Sequence, residues 1–215
     1  MINIKEKIEG LRELSGELIG LLNGEKTKIN VFFTVTEPLN SFCHKINNEA
    51  NKCVSGFWNF GNNSVYFPHI SLFMGFVDSE EQLLNVFKTV SDFSKTIAPF
   101  KIDPMALYFK SVSEKSSKYL FLDFLQNDYM YEIKNTLDEL LQKDVFPIGW
   151  DIKSERTHIS LGCFKHLNTK INNLVESYRQ FPSCEINQIG ISFMGKHGVL
   201  IGTIKTYNLE KSKTL

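Results

Sequence analysis

Two copies of one tetrapeptide carry the chemistry in this chain: His69-Ile70-Ser71-Leu72 and His158-Ile159-Ser160-Leu161, 89 residues apart (158 − 69 = 89). Side chains at i and i+2 of a strand project to the same face, so each copy presents an imidazole and a hydroxyl together. Placed side by side, the two pairs make a cleft with two imidazoles and two hydroxyls. That set suits reaction at a phosphodiester. With an ordinary pKa of about 6.5, one neutral histidine takes a proton from an attacking oxygen while a second, protonated, gives one to the leaving oxygen. Ser71 and Ser160 can donate to non-bridging phosphate oxygens, where fixed donors stabilise charge that builds in the transition state. Such proton transfer calls for no metal and no other cofactor. A metal site is the rival reading, but no helical His pair at ligand spacing and no neighbouring Cys/Asp cluster accompanies the motifs.

These residues need strands beneath them, and the pattern supplies them. Residues 28–36 (KINVFFTVT) are β-branched and aromatic, and the polar stretch after them, reaching about Val54, carries helical spacing. A Gly-Asn-Asn-Ser turn at 61–64 leads into a strand over 65–76, and Asp78-Ser79-Glu80-Glu81 marks the start of a helix. Strands are further expected over 100–112, 118–126, 157–164, 185–194 and 199–207, and helices over 128–143 and 169–181. The last two strands read as a hairpin. On the first motif strand, Phe67, His69, Ser71 and Phe73 should share one face and Met74 the other. On the second, Arg156, His158, Ser160, Gly162 and Phe164 should share a face. Mixed order with hairpins gives an α+β fold.

Composition narrows the class of partner. The 215 residues carry 24 Lys+Arg against 24 Asp+Glu, with 42% hydrophobic residues. A balanced charge excludes coating of long nucleic acid or an anionic membrane through bulk electrostatics, because that affinity comes from many released counterions. A small or end-bound anionic substrate fits. Cys43, Cys53, Cys163 and Cys184 form no CxxC pair, and with no cleavable apolar leader they read as reduced thiols of a cytoplasmic protein. Residues 1–24 read as an amphipathic helical extension, interrupted by charges throughout and too polar to span a membrane, ahead of a single bilobal domain over 25–215.

The paired His-x-Ser motifs, each followed by a hydrophobic residue, resemble the two-histidine phosphoesterase superfamily, which includes RNA 2′,3′-cyclic phosphodiesterases (the so-called 2′-5′ RNA ligases). The resemblance spans roughly residues 25 to 207. It implies a bilobal α+β fold, two pseudo-symmetric antiparallel sheets with outer helices around a central cleft. It implies that His69 and His158 are the acid/base pair and that Ser71 and Ser160 bind phosphate. The function it implies is a metal-independent phosphodiesterase acting on a cyclic phosphate, a 2′-linked nucleotide or an RNA end.

Around the motifs, Phe67 and Arg156 each precede a histidine by two residues, as candidates to contact a base and a phosphate. Trp150 and Trp58, near the starts of the motif strands, can stack on a base or simply pack. His44, His166 and His197 read as surface or turn residues. Two other classes of function stay open: a non-catalytic module that binds a nucleotide or RNA end in the same cleft, and an interaction protein working through its N-terminal helix. Sequence leaves open which histidine is acid, which phosphodiester is cut, and the oligomeric state.

Overall fold

The computed structural model describes residues 15–60, 66–111, 117–125, 128–148, 157–195 and 199–210. Residues 15–22 are helical (α1). The order then runs β1 (Thr27–Thr34), α2 (Leu39–Cys53), β2 (His69–Val77), α3 (Glu80–Ser94), β3 (Phe100–Ile102) and β4 (Pro104–Ser111). It continues with β5 (Lys118–Phe124), α4 (Asp128–Leu141), β6 (Phe146–Pro147), β7 (His158–Phe164), α5 (Thr169–Ser177), β8 (Cys184–Ile186), β9 (Gln188–Met194) and β10 (Leu200–Asn208). The α+β class and the alternation of elements agree with the sequence reading. Local chemistry explains the helix starts: Ser79 Oγ accepts from the Gln82 N–H and Asn168 Oδ1 from the Ile171 N–H, each satisfying an orphan donor of the first turn.

The 89-residue offset extends far beyond the tetrapeptide. It relates the first residue of α2 to that of α4, β2 to β7, and α3 to α5. After α5, which is shorter than α3, the offset becomes 84 (184 − 100 = 84) and relates β3 to β8 and β4 to β9. The chain is thus two copies of a β-α-β-α-β-β unit, with β10 appended and β6 inserted. The copies exchange strands. β9 of the second unit pairs with β1 of the first, and β4 of the first pairs with β5 of the second, giving the antiparallel order β10-β9-β1-β2-β7-β5-β4. Helices follow the exchange, since α2 packs on β7 and α4 on β2.

Two expectations need refining. The two lobes are not separate sheets: they meet where Ile70 of β2 pairs with Ile159 of β7, so one sheet of eight strands runs through both, beside a small sheet of β3 and β8. Each long strand expected at 100–112 and 185–194 is also broken in two, at Asp103 and at Asn187, which lets its first half leave the main sheet and pair in the small one. Both contacts lie on a pseudo-twofold axis, because Ile70 and Ile159, like Lys101 and Glu185, are counterparts under the repeat.

The core lies between the sheet and the helices. Ile29, Val31, Phe33, Ile70, Leu120, Leu122, Ile159, Leu137 and Leu141 are fully buried there, each large side chain contributing about 1.5–3 kcal/mol of transfer free energy. Leu21 of α1 joins this core, while Leu18, Ile19 and Leu22 are exposed. On the opposite face Phe32, Met74, Met194 and Leu200 form a second, small cluster against which Phe67 packs.

Gly190 permits that small cluster to form. It stands across from Phe32 in the β1–β9 ladder, and a Cβ there would lie 2.5 Å from the Phe32 ring. Gly190→Ala should therefore cost about 1–3 kcal/mol by overpacking. Urea unfolding of the variant beside wild type measures this; an unchanged midpoint would contradict the close packing of Phe32.

Candidate active site

Both tetrapeptides bend their strands in the same way. In the β1–β2 ladder Phe32 stands opposite Ser71 and Val31 opposite Phe73, so Leu72 is an unpaired, bulged residue. In the β5–β7 ladder Phe121 stands opposite Ser160 and Leu120 opposite Gly162, so Leu161 is bulged too. A bulge shifts the alternation by one residue. This corrects the expected faces. Phe73 and Phe164 turn into the main core rather than sharing a face with the histidines, and Met74 joins the small cluster beside Phe32.

Ahead of the bulges, His69 and Ser71, like His158 and Ser160, lie on the sheet face opposite the main core, His69 buried and the other three half-buried. Continuing the Ile70–Ile159 register by one residue in each direction sets His69 beside Ser160 and Ser71 beside His158. Directly opposed side chains in an antiparallel pair lie about 4.5–5.5 Å apart at Cβ. His69 and Ser160 accordingly line one small pocket, with Trp58, Phe60, Tyr66, Phe67, Val199 and Leu200.

The two imidazoles sit in different surroundings. His69 is buried, with Phe32 and Phe67 at ring-centroid distances of 5.8 and 5.9 Å. Its Nδ1 lies 3.1 Å from the Phe67 carbonyl, which can only accept, so Nδ1 carries the hydrogen and Nε2 keeps its lone pair. Burial pushes the His69 pKa down to about 4; the Phe67 carbonyl opposes this and charge on His158 adds to it. His158 is half-buried and stacks on Phe121, with centroids 4.0 Å apart and planes at 30°. Across the ladder from His158 stands Asp123, whereas Thr34 stands across from His69.

A polar pin fastens the neighbouring loop to this face. Asn47 of α2 is fully buried, donates from Nδ2 to the carbonyl of bulged Leu161 at 2.7 Å, and accepts from the Phe60 N–H at 2.7 Å. Asn51 accepts from the Gly56 N–H, and the Phe57 N–H donates to the Cys163 carbonyl. The loop after α2 is thereby laid along β7 and brings Trp58 and Phe60 to the pocket.

With this geometry in view, solved structures supply the comparison. A Thermus thermophilus protein, TT0787, is similar over 86% of this chain and 99% of its own, at 14% identity and a TM-score of 0.60. Apo E. coli LigT is similar over 86% and 99%, at 9% identity and a TM-score of 0.53. LigT complexed with 3′-AMP is similar over 87% and 100%, at 10% identity and a TM-score of 0.52. The chain has the fold of TT0787 and LigT. At such identities the likeness is one of fold. No protein-family model and no curated protein matches the sequence.

Within this fold, His69, Ser160 and Phe67 come together at one pocket; Ser71 and His158 fall outside its lining, though charge on His158 reaches His69. Trp58, read from sequence as stacking or packing, is buried and contributes to the pocket wall. Trp150 and Arg156 lie outside the described residues. Of the other histidines, His166 is exposed, His197 lies outside the described residues, and His44 is not a surface residue: it is half-buried with Nδ1 2.5 Å from the Phe60 carbonyl. Among the described residues no group of three or more His, Cys, Asp or Glu is placed to hold a metal ion, and no helix is long and apolar enough to cross a membrane. Sequence reasoning missed Asn30, Phe32 and Phe121. The 89-residue offset, extended to the preceding strands, pairs Phe32 with Phe121 and marks both.

The lowered His69 pKa makes stability depend on pH. Unfolded, His69 titrates near 6.5, so the unfolded state takes up its proton first as pH falls. Stability is full above about pH 6.5 and declines by about 3 kcal/mol as pH falls towards 4. Urea unfolding of wild type and His69→Phe at pH 7 and pH 4.5 should show a larger loss in wild type; equal losses would contradict a buried, neutral His69.

Proposed function

We propose that this chain is a phosphodiesterase that cleaves a cyclic phosphate, a 2′-linked nucleotide or an RNA end by acid/base catalysis with two histidines and no metal. The observation that supports the reading is the twofold contact at Ile70 and Ile159, together with one pocket lined by His69 of the first repeat and Ser160 of the second. The capture of 3′-AMP by LigT, a protein of the same fold, supports a nucleotide as the ligand.

In this mechanism the unequal surroundings divide the roles. His69 is the base: burial keeps it neutral, and the Phe67 carbonyl holds Nδ1–H so that the Nε2 lone pair is available. It takes the proton of a water or a ribose hydroxyl as that oxygen attacks phosphorus. His158 is the acid, standing across from Asp123 and giving its proton to the leaving oxygen as the P–O bond breaks. Ser71 and Ser160 donate to the non-bridging oxygens, where negative charge accumulates. Phe67, Trp150 and Arg156 are assigned contacts with the substrate's base and phosphates, and residues 1–24 form an extension to a single bilobal domain at 25–215.

Turnover of 2′,3′-cyclic nucleotides and of 2′-5′ and 3′-5′ oligonucleotides in the presence of a chelator tests the proposal. His69→Ala and His158→Ala should each lower kcat/KM by about 10²–10⁴, with little further loss in the double variant. The kcat/KM of wild type should fall as pH drops through about 4, where His69 becomes protonated. Full turnover by either single variant, or a nucleotide that is held but never consumed, would contradict the proposal.

A further inference from the structure

The two serines of the repeat are held differently. Asn30 of β1 is fully buried on the same sheet face as Ser71, and its Nδ2 donates to Ser71 Oγ at 2.8 Å. A hydroxyl that accepts this bond has its lone pair engaged and its own hydrogen directed elsewhere. Turning the amide over would let Ser71 donate to it instead, but would leave two buried N–H donors unpaired. The observed arrangement pairs one of those donors with Ser71 and leaves the acceptor Oδ1 without a partner among the described residues. At the matching place in the second repeat stands Tyr119, whose hydroxyl engages Cys163. No amide is supplied to Ser160 from that position.

We propose that Asn30 is a positioning residue: it aims the Ser71 hydroxyl hydrogen into the cleft and makes Ser71 a pre-set donor to one non-bridging oxygen of a bound phosphate. The proposal rests on the reading that this cleft receives a phosphate group, and it deepens that reading by making the near-symmetric site directional. One oxygen of the phosphate meets a donor whose orientation is already fixed, beside His158; the other meets Ser160, beside His69. Preorganisation of this kind contributes because no hydroxyl has to reorient as charge develops.

Binding of inorganic phosphate to the full chain, followed by calorimetric titration, tests this on wild type, Asn30→Leu, Ser71→Ala and the double variant. Leucine keeps the volume at position 30 while removing the donor. Each single variant should bind phosphate about tenfold more weakly, and the double variant no more weakly than Ser71→Ala. Losses that multiply in the double variant, an Asn30→Leu protein that binds like wild type, or a wild type that binds no phosphate would each overturn the proposal. A purely structural Asn30 would lower Tm and give multiplying losses. Should Asn30→Leu fail to fold, Asn30→Ala enters the same cycle under the same criteria. Turnover measured alongside separates this inference from the reaction itself: coupled loss of phosphate binding in a protein that cleaves no phosphodiester would uphold the role of Asn30 and refute the catalytic reading.

Discussion

A single backbone pairing, Ile70 of β2 against Ile159 of β7, joins the two lobes into one sheet, and the arrangement of the face opposite the main core depends on it. The two isoleucines are counterparts under the repeat, so the pseudo-twofold axis passes between them. Residues one step before and after them are then related by that symmetry, and His69 of the first copy meets Ser160 of the second in one pocket. Both isoleucines are fully buried on the helix side. Core packing therefore holds the register that the polar side needs, and a slip of one residue would send the imidazoles into the core.

The duplication sets a near-symmetric frame, and individual differences between the copies break the symmetry around the two motifs. Counterpart positions hold Thr34 and Asp123 across from the two histidines, and Asn30 and Tyr119 behind the two serines. One imidazole is walled by Phe32 and Phe67, whereas the other stacks on Phe121 and remains half-exposed. Two identical tetrapeptides thus stand in surroundings that differ in burial.

Much of this was legible in the sequence, and the remainder has physical reasons for escaping it. The alternation of strands and helices came through because residues such as Phe32, Leu83, Leu137 and Ile189 keep the period of their element, and Ser79 announces its helix. The bulges at Leu72 and Leu161 did not, since a period-2 pattern carries no mark of an inserted residue. Repetition of the leucine was the available sign. The break at Asp103 carried a sign that went unread, because Pro104 follows it and a proline within a run marks an edge or an interruption, whereas Asn187-Gln188 is a polar pair inside an otherwise β-prone run. Asn30 reads as an ordinary polar residue within a strand until Ser71 is seen 2.8 Å away. The strand exchange between repeats is a tertiary fact with no local signature.

The account depends most on the two imidazoles forming one electrostatic unit on the face opposite the main core. Nitrogen-resolved NMR of the histidine rings across pH, on wild type and His158→Ala, tests this most directly. The account predicts that His69 stays neutral with its hydrogen on Nδ1 down to about pH 4, and that removal of His158 moves its titration upwards. A His69 that titrates near 6.5, with or without His158, would contradict the account.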